Sequence, residues 1–296
     1  MSNIAIIAAG AMGSAVAKVL VRNGCKVLTN LDDRSEGTRQ RAREAGMQDA
    51  SFKEIGATCD WVLSILPPSD AFAFAEKFLR ESATSTRLAG TPGPVFVDCN
   101  AVNPATVHRI AALFADSPST NFIDAAIIGG PPENDYNPTF YASSSEDSLL
   151  DSFVGLSKYG LKISALTGEG AGVGDASALK MSYAGITKGT TGLFTTMILA
   201  AHKSSPATAD ALLHELHQSQ PAILKRISRV VPPMVPKAYR WSGEMSEIGK
   251  FVGGGEGDIY HGLAQLYSRI EKSGKPEGDG KDLEVLAKFV AEAKKI

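Results

Sequence analysis

The chain has 296 residues, of which 21% are charged, and its formal net charge is −2 at pH 7. This length corresponds to roughly two domains of about 150 residues each, which is enough to bury a hydrophobic core. The balanced charge does not favour nucleic acid or an anionic membrane as a main partner, so we expect neither.

Two features of the sequence bear on the cellular location of the protein. The apolar stretch over residues 4–21 is too short for a comfortable membrane span and is interrupted by Lys18. The three cysteines, Cys25, Cys59 and Cys99, lie far apart in or beside apolar runs and have no metal-ligand spacing. We expect buried, reduced thiols in a cytoplasmic protein.

Short apolar runs alternate with helical patterns through the first part of the chain. We predict strands over residues 3–8, 26–31, 60–66, 94–99, 122–128, 139–142 and 161–165. The helical patterns between them run from the glycine-rich loop to Leu20 and over residues 36–44, 70–80, 104–114 and 148–156. Such alternation is typical of βαβ units and a parallel sheet.

The pattern changes near residue 168, and no strand is predicted from residue 175 onward. A long apolar helix over residues 175–201 precedes helices over residues 208–218, 221–231, 244–251, 259–272 and 283–295. The glycine runs 253–257 and 274–280 are predicted to be flexible loops. We therefore predict an α/β Rossmann domain with a parallel doubly wound sheet over residues 1–168, followed by an all-α domain over residues 169–296.

A glycine fingerprint follows the first predicted strand and opens a helix. It has the GxGxxG spacing with Ala8 in the first position. In this context the second glycine lets the backbone approach a pyrophosphate, and the third lets the helix pack closely on the strand. The helix amides supply the anion site. The predicted dinucleotide-binding residues here are Ala9, Gly10, Ala11, Met12 and Gly13.

The end of the second predicted strand bears on the choice of cofactor. Arg34, Ser35 and Arg39 are suited to holding a 2′-phosphate, whereas Asp32 or Asp33 would repel it and bind ribose hydroxyls instead. We expect NADP and leave NAD as the alternative. Leu66 and Pro67, where residues 60–66 end, are assigned to cofactor binding as well.

Four motifs occur in a definite order: residues 10–13, residues 98–104, residues 122–130, and residues 170–172 leading into a helix that carries Lys180. In this order the chain resembles the β-hydroxyacid dehydrogenase superfamily, which includes 6-phosphogluconate dehydrogenase and 3-hydroxyisobutyrate dehydrogenase. It is most similar to a short 6-phosphogluconate-dehydrogenase-like subgroup that has its own C-terminal domain.

The resemblance implies specific roles. Lys180 would be the general acid/base at an interdomain cleft, exchanging a proton with the substrate hydroxyl while the nicotinamide exchanges a hydride. Partial burial would suit this role by lowering the pKa of the lysine. Gly129 and Gly130 would offer backbone groups to the substrate acid, and Asn100 would border the nicotinamide and the substrate. A homodimer is also implied.

The sequence departs from the family pattern at three positions. Ile128 stands where a serine often precedes the glycine pair, and Tyr183 and Ala184 replace polar residues after the lysine. These departures predict a more apolar pocket and argue against 6-phosphogluconate as the substrate.

The helix that carries Lys180 is informative without the family. Lys180, Tyr183 and Thr187 share one face at spacings of three and four residues. We assign Tyr183 as the second catalytic candidate and Thr187 to substrate binding. The alternative is that Lys180 extends to solvent and Tyr183 belongs to the core.

These observations predict an NADP(H)-dependent oxidoreductase for a small hydroxyacid or carbonyl compound. Two alternatives stay open: an imine reductase-like enzyme, and a catalytically silent NADP-binding sensor or scaffold. His214 and His217 have helical spacing but no matching carboxylates, so we expect no metal site. The apolar length of residues 175–201 predicts a homodimer.

Overall fold

The computed structural model describes residues 2–87, 91–115, 117 and 120–296. The chain divides into two compact units, Met1–Lys180 and Met181–Ile296, and the division falls inside one long helix. The first unit contains the sheet, and the second is helical throughout its described elements.

Eight strands of the described residues form a single sheet with the order β3-β2-β1-β4-β5-β6-β7-β8. The strands are β1 Asn3–Ile7, β2 Lys26–Thr29, β3 Gln48–Asp49, β4 Trp61–Ser64, β5 Val95–Asp98, β6 Asn121–Ile128, β7 Thr139–Ser143 and β8 Lys162–Ala165. Every neighbouring pair is parallel except β6 and β7. The carboxyl ends of β1, β2, β4, β5 and β6 therefore lie at one edge of the sheet, where ligands bind in such folds.

Helices cover both faces of the sheet. They are α1 Ala11–Arg22, α2 Glu36–Glu44, α3 Phe52–Thr58, α4 Ala71–Ser82, α5 Pro104–Ala115 and α6 Asp147–Val154. In β1, Ile4 and Ile6 pack into one buried cluster, and Ala5 and Ile7 pack into another on the opposite face. The continuous apolar run of β1 follows from this two-sided burial. The predicted Rossmann domain followed by a helical region is confirmed.

Three details of the first unit were not predicted. Strand β3 and helix α3 are short, and their sequences lack a clear apolar period. Strand β7 runs antiparallel to β6, with Ile128 opposite Thr139, and a ten-residue loop without a helix joins the two strands.

The second unit contains helices only among its described elements, and α7 Asp175–Ser204 enters it from the first unit. The others are α8 Pro206–Ser219, α9 Pro221–Met234, α10 Ala238–Val252, α11 Gly254–Ser273 and α12 Lys281–Ala293. No described helix is long and apolar enough to cross a membrane.

The predicted loop over residues 253–257 is wrong at all but its first residue. Gly253, at φ 70°, ends α10, and Gly254–Gly257 form the first turn of α11. A Cβ atom on Gly257 would lie 2.6 Å from the carbonyl oxygen of Gly249 in α10. Gly257 therefore allows the two helices to approach closely, a role that a glycine-rich composition does not distinguish from a loop.

All three cysteines are buried and free. Burial raises the pKa of the Cys59 thiol to about 12 and that of Cys99 above its usual value. The prediction of buried thiols is confirmed.

Candidate active site

The loop between β1 and α1 forms the first part of the site. Gly10 precedes α1 without a side-chain cap, so the amides of the first helical turn have no partner within the helix. A Cβ on Gly10 would meet no atom within 4 Å, whereas one on Gly13 would collide with the carbonyl oxygen of Ala8. Gly13 therefore allows α1 to pack on β1, and the open amides at Ala11 and Met12 fit a pyrophosphate.

Polar and basic side chains follow β2. Asn30 Nδ2 donates to Asp32 Oδ2 at 2.8 Å, so one oxygen of this carboxylate has a partner. Ser35 caps α2 by accepting from the amide of Thr38, and Arg39 Nε donates to the carbonyl oxygen of Arg34 at 3.1 Å. Arg34, Ser35 and Arg39 therefore lie together at the start of α2.

Arg41 belongs to the same region and was missed by the sequence analysis. Its Nε donates to the carbonyl oxygen of Ala9 at 3.0 Å, and its Nη2 donates to Thr38 Oγ1 at 2.9 Å. This guanidinium joins α2 to the glycine-rich loop. Its position in the middle of a charged helix gave no signal, because only the tertiary fold brings Ala9 to it.

Asn100 lies where β5 ends and is 2% exposed. Its Oδ1 accepts from the amide of Leu66 at 2.6 Å, and its Nδ2 donates to Ser64 Oγ at 2.9 Å and to Asp98 Oδ1. The side chain of Asn100 therefore fixes the segment at Leu66 and Pro67 from inside the protein.

Asp98 is the acidic member of this cluster and is 1% exposed. Burial raises the pKa of its carboxyl to about 7, although hydrogen bonds from Asn100 favour the charged form. Its second oxygen, Oδ2, has no hydrogen-bond partner among the described residues. A neutral carboxyl suits these surroundings better than a buried carboxylate.

Asp124 in β6 fixes the beginning of α7. Its Oδ2 accepts from the amides of Gly174 and Ser177 at 3.0 Å each, and its Oδ1 accepts from Ser177 Oγ at 2.8 Å. Ser143 Oγ supplies a further contact at 3.2 Å. This buried carboxylate holds the first turn of α7 against the sheet.

Lys180 lies one turn beyond Ser177 on α7, and its Nζ donates to the carbonyl oxygen of Ile127. Ile127 is three residues after Asp124 on β6, so the strand contacts the helix at two matched points. The ammonium is thereby held at the carboxyl end of β6, immediately before Gly129 and Gly130.

The glycine pair after β6 has an unpredicted neighbour in Tyr136. Gly130 N donates to Tyr136 Oη at 3.2 Å, and Gly129 has φ 135°. A Cβ on Gly129 would collide with the same hydroxyl oxygen. The sequence analysis did not predict the hairpin between β6 and β7. The contact was therefore missed, because this hairpin places Tyr136 beside the end of β6.

Tyr183 and Thr187 belong to the second unit. The side chain of Tyr183 is 51% exposed, and Thr187 Oγ1 donates to the carbonyl oxygen of Tyr183 at 2.8 Å. The phenol is therefore not a core residue. No group of three or more metal-binding side chains occurs in the described part of the chain.

A second lysine of α7 has a different environment, which the sequence analysis did not anticipate. Lys188 Nζ is paired with Glu244 and lies 5.3 Å from the centre of the Trp241 ring. Tyr267 Oη donates to the carbonyl oxygen of Lys188 at 2.6 Å. Burial lowers the pKa of Lys188, and the Glu244 carboxylate opposes that shift.

A mostly parallel sheet with helices on both faces, a glycine-rich loop after its first strand and basic side chains after its second define a dinucleotide-binding protein of the Rossmann class. Residues 3–168 match the family described as the NAD binding domain of 6-phosphogluconate dehydrogenase, and the chain belongs to that family. It is an NAD(P)-dependent dehydrogenase or reductase, and the predicted resemblance is confirmed. Residues 204–270 match DUF1932, a domain of unknown function.

Solved structures of similar proteins cover nearly the whole chain. MTH1747, a conserved protein of unknown function described as structurally similar to 3-hydroxyacid dehydrogenases, is 25% identical with a TM-score of 0.66 over 91% of this chain and 96% of that one. For 3-hydroxyisobutyrate dehydrogenase from Salmonella typhimurium, the identity is 16%, the TM-score is 0.58, and the coverage is 100% and 95%.

An imine reductase from Myxococcus stipitatus, solved with NADP+, is 18% identical with a TM-score of 0.55 over 98% of this chain and 100% of that one. At identities this low, the dehydrogenase from Salmonella typhimurium and the imine reductase establish a common fold and nothing more. No curated protein matches the chain.

Proposed function

We propose that the protein is an NADP(H)-dependent oxidoreductase that acts on a small hydroxyacid or carbonyl compound, with Lys180 as the general acid/base. The observation that carries this proposal is the placement of the Lys180 ammonium at the carbonyl oxygen of Ile127, beside the Gly129–Gly130 pair. In this proposal, residues 1–168 bind the cofactor, and residues 169–296 contribute to substrate binding and dimer formation in a cytoplasmic protein.

The cofactor and Lys180 have separate chemical roles in this proposal. The nicotinamide, when bound, donates or accepts the hydride at the substrate carbon. Lys180 gives a proton to the carbonyl oxygen during reduction and takes it from the hydroxyl during oxidation. Its hydrogen bond to Ile127 orients the amine without neutralising it, because the acceptor is a backbone carbonyl.

Neighbouring groups position the reactants. The amides of the first turn of α1 would hold the pyrophosphate, and Asn100 fixes Leu66 and Pro67, which would border the nicotinamide. The backbone at Gly129 and Gly130 is assigned to the acid group of the substrate. Tyr183 and Thr187 remain proposed as a second proton donor and a substrate contact.

The preference for NADP is proposed from the start of α2. Asp32 is bonded to Asn30, while Arg34 and Arg39 are available to an anion. A hydrogen bond to a charged group contributes about 1.5–3 kcal/mol, so loss of Arg34 should weaken NADPH binding by at least about tenfold. NADH binding should change little.

The test is a fluorescence titration of NADPH and NADH against wild type and Arg34→Ala. Arg43→Ala is a matched control, because Arg43 lies on the same helix but is paired with Glu36. Equal affinities for the two cofactors in wild type, or an unchanged preference in Arg34→Ala, would reject NADP specificity.

Imine reduction is the second candidate, and Ile128 favours it because an apolar side chain precedes the glycine pair where hydroxyacid enzymes often have a serine. Oxidation of NADPH is measured with a panel of oxoacids, ketones and cyclic imines. Turnover of oxoacids supports the first function, and turnover of imines alone supports the second. Tight NADPH binding without any turnover would identify a cofactor-binding sensor or scaffold.

A further inference from the structure

We infer that the phenol of Tyr136, rather than the amide of Gly130, binds the acid group of the substrate. This inference rests on the proposed function, because it concerns the same substrate at the same strand end. It changes the role expected for the glycine pair and adds a substrate-binding side chain that the sequence analysis did not predict.

Tyr136 is brought to the strand end by a rigid reversal. Its amide donates to the carbonyl oxygen of Glu133 at 2.9 Å, and the amide of Glu133 donates back to the carbonyl oxygen of Tyr136 at 3.0 Å. Asn134 within this turn has φ 51°, and two prolines, Pro131 and Pro132, precede it. The backbone of this turn is therefore constrained, and it places Tyr136 beside the glycine pair.

The hydrogen bond at the glycine pair is directional. The single proton of the Gly130 amide is donated to Tyr136 Oη at 3.2 Å, so this amide already has an acceptor within the protein. Among the described residues, the hydroxyl proton of Tyr136 has no acceptor, which leaves it to be donated outward. The ring is 51% exposed, so a solute can reach the hydroxyl.

Gly129 is explained by the same contact. A side chain there would collide with Tyr136 Oη, and its Cβ would lie 3.0 Å from the Cβ of Pro138. The absent side chain therefore makes room for the phenol, in addition to permitting φ 135°. Tyr136 also supplies a hydroxyl next to the pair, where Ile128 has none.

The position of Lys180 on the same strand end bears on the class of ligand. Lys180 contacts Ile127, three residues before Gly130, and three extended residues span at most about 10 Å. The ligand class that we propose is therefore a short acid with its hydroxyl or carbonyl one or two carbons from the carboxylate. A phenol that donates to a carboxylate makes a charge-assisted hydrogen bond, which is stronger than one between neutral groups.

The experiment compares two probes that differ at one group, 3-hydroxypropionate and 1,3-propanediol. Both are titrated calorimetrically into the full-length protein saturated with NADP+, as wild type, Tyr136→Phe and Tyr141→Phe. Tyr141 is the matched control, because it lies in the following strand β7 and no hydrogen bond involves its hydroxyl among the described residues.

In wild type we expect 3-hydroxypropionate to bind at least about tenfold more tightly than the diol, as for a hydrogen bond to a charged group. Tyr136→Phe should remove about tenfold of the affinity for the acid and leave that for the diol unchanged. Tyr141→Phe should match wild type. Unchanged or tighter binding of the acid by Tyr136→Phe would overturn the inference, as would a wild type without preference for the acid.

Turnover of Lys180→Met, measured in parallel, separates this inference from the proposed function. If Lys180→Met loses turnover while Tyr136→Phe binds the acid normally, the proposed function stands and the role of Tyr136 is wrong. If Tyr136→Phe loses affinity while Lys180→Met stays active, Tyr136 binds the acid and the lysine mechanism is wrong.

Discussion

Helix α7 carries two partly buried lysines whose surroundings differ in kind. Lys180, in the first unit, donates to the neutral carbonyl oxygen of Ile127. Lys188, in the second unit, is paired with the carboxylate of Glu244 and lies over the ring of Trp241. Both lysines are on one helix and have similar exposure, so the difference comes from the packed partners.

The difference in hydrogen-bond acceptor supports the proposal that Lys180 exchanges a proton with the substrate. Deprotonation of Lys188 would leave the buried Glu244 carboxylate without its counter-charge, which costs several kcal/mol. Deprotonation of Lys180 removes one donor from the neutral carbonyl oxygen of Ile127, a loss of about 1–3 kcal/mol for that bond. We therefore assign Lys180 to chemistry and Lys188 to the stability of the helical unit.

The largest expected effect is on turnover. Lys180→Met keeps the aliphatic stem and deletes the ammonium, so turnover should fall by about 10²–10⁴, the contribution of a positioned acid/base. NADPH affinity should stay within a few-fold of wild type. Steady-state rates and cofactor titrations measure both quantities.

Two further variants control this result. Lys203→Met makes the same change at an exposed position in the last turn of α7 and should be fully active. Tyr183→Phe tests the competing donor. An inactive Tyr183→Phe together with a nearly active Lys180→Met would assign the proton transfer to Tyr183 instead.

The second effect is on stability. Lys188→Met leaves Glu244 buried and unpaired, so the free energy of unfolding should fall by about 3–5 kcal/mol. The double variant Lys188→Met/Glu244→Leu removes both charges and should recover most of this loss. Denaturant unfolding measures both variants. A loss below about 1 kcal/mol in the single variant would mean that the pair behaves as a solvated surface pair.

The third effect is a pH dependence of the free energy of unfolding. Glu244 is paired with a lysine, whereas Oδ2 of the buried Asp98 has no partner among the described residues. The pKa of Asp98 is raised to about 7 in the folded protein, against an ordinary value of 3.8. Between these values the folded state holds a proton that the unfolded state has released. The free energy of unfolding therefore decreases as the pH rises through this interval.

The amide side chain introduced by Asp98→Asn resembles the neutral carboxyl and can still accept a hydrogen bond from Asn100. We expect this substitution to stabilise the protein by about 1–2 kcal/mol at pH 5 and by about 4 kcal/mol at pH 8. Unfolding curves of variant and wild type at both pH values provide the comparison. The same difference at pH 5 and pH 8 would show that Asp98 is not protonated in the folded state.

The smallest effect concerns a third set of positions on α7. Tyr183, Ile186, Leu193 and Met197 lie on one face and are 51%, 67%, 55% and 54% exposed. We propose that this face binds a second copy of the chain. Burial of a large apolar side chain contributes about 1.5–3 kcal/mol, so Leu193→Glu should shift a dimer toward monomer at micromolar concentration.

Light scattering measures the molecular mass of each form. Ile296→Glu makes a similar change at an exposed position of the C-terminus and should leave the mass unchanged. A wild type that is monomeric at micromolar concentration would contradict the dimer.

The sheet was predictable because its strands are buried on both faces and appear as continuous apolar runs, as in β1 and β4. The glycine-rich loop was predictable because its spacing and its place between a strand and a helix are local properties. The assignment of Lys180 to the candidate site depended on the family resemblance, since helical spacing alone does not distinguish an active-site lysine from a surface lysine.

The features that were missed depend on contacts between distant residues. Arg41 bonds to Ala9 across the β1–α2 region, and Lys188 is paired with Glu244 across two helices. Tyr136 reaches Gly130 through an unpredicted reversal. The glycines after residue 253 were misassigned because close helix packing and loop formation favour the same residue.

The most direct test of the central claim is the pH dependence of hydride transfer, measured by single-turnover absorbance of NADPH with a substrate found in the panel. Wild type and Lys180→Met are compared over pH 5–10, with Lys203→Met as the control. We predict that the rates of wild type and the control change with pH through the ionisation of Lys180. The residual rate of Lys180→Met should be slow and should lack this pH dependence. A Lys180→Met variant that keeps this pH dependence and the wild-type rate would contradict the assignment of Lys180 as the general acid/base.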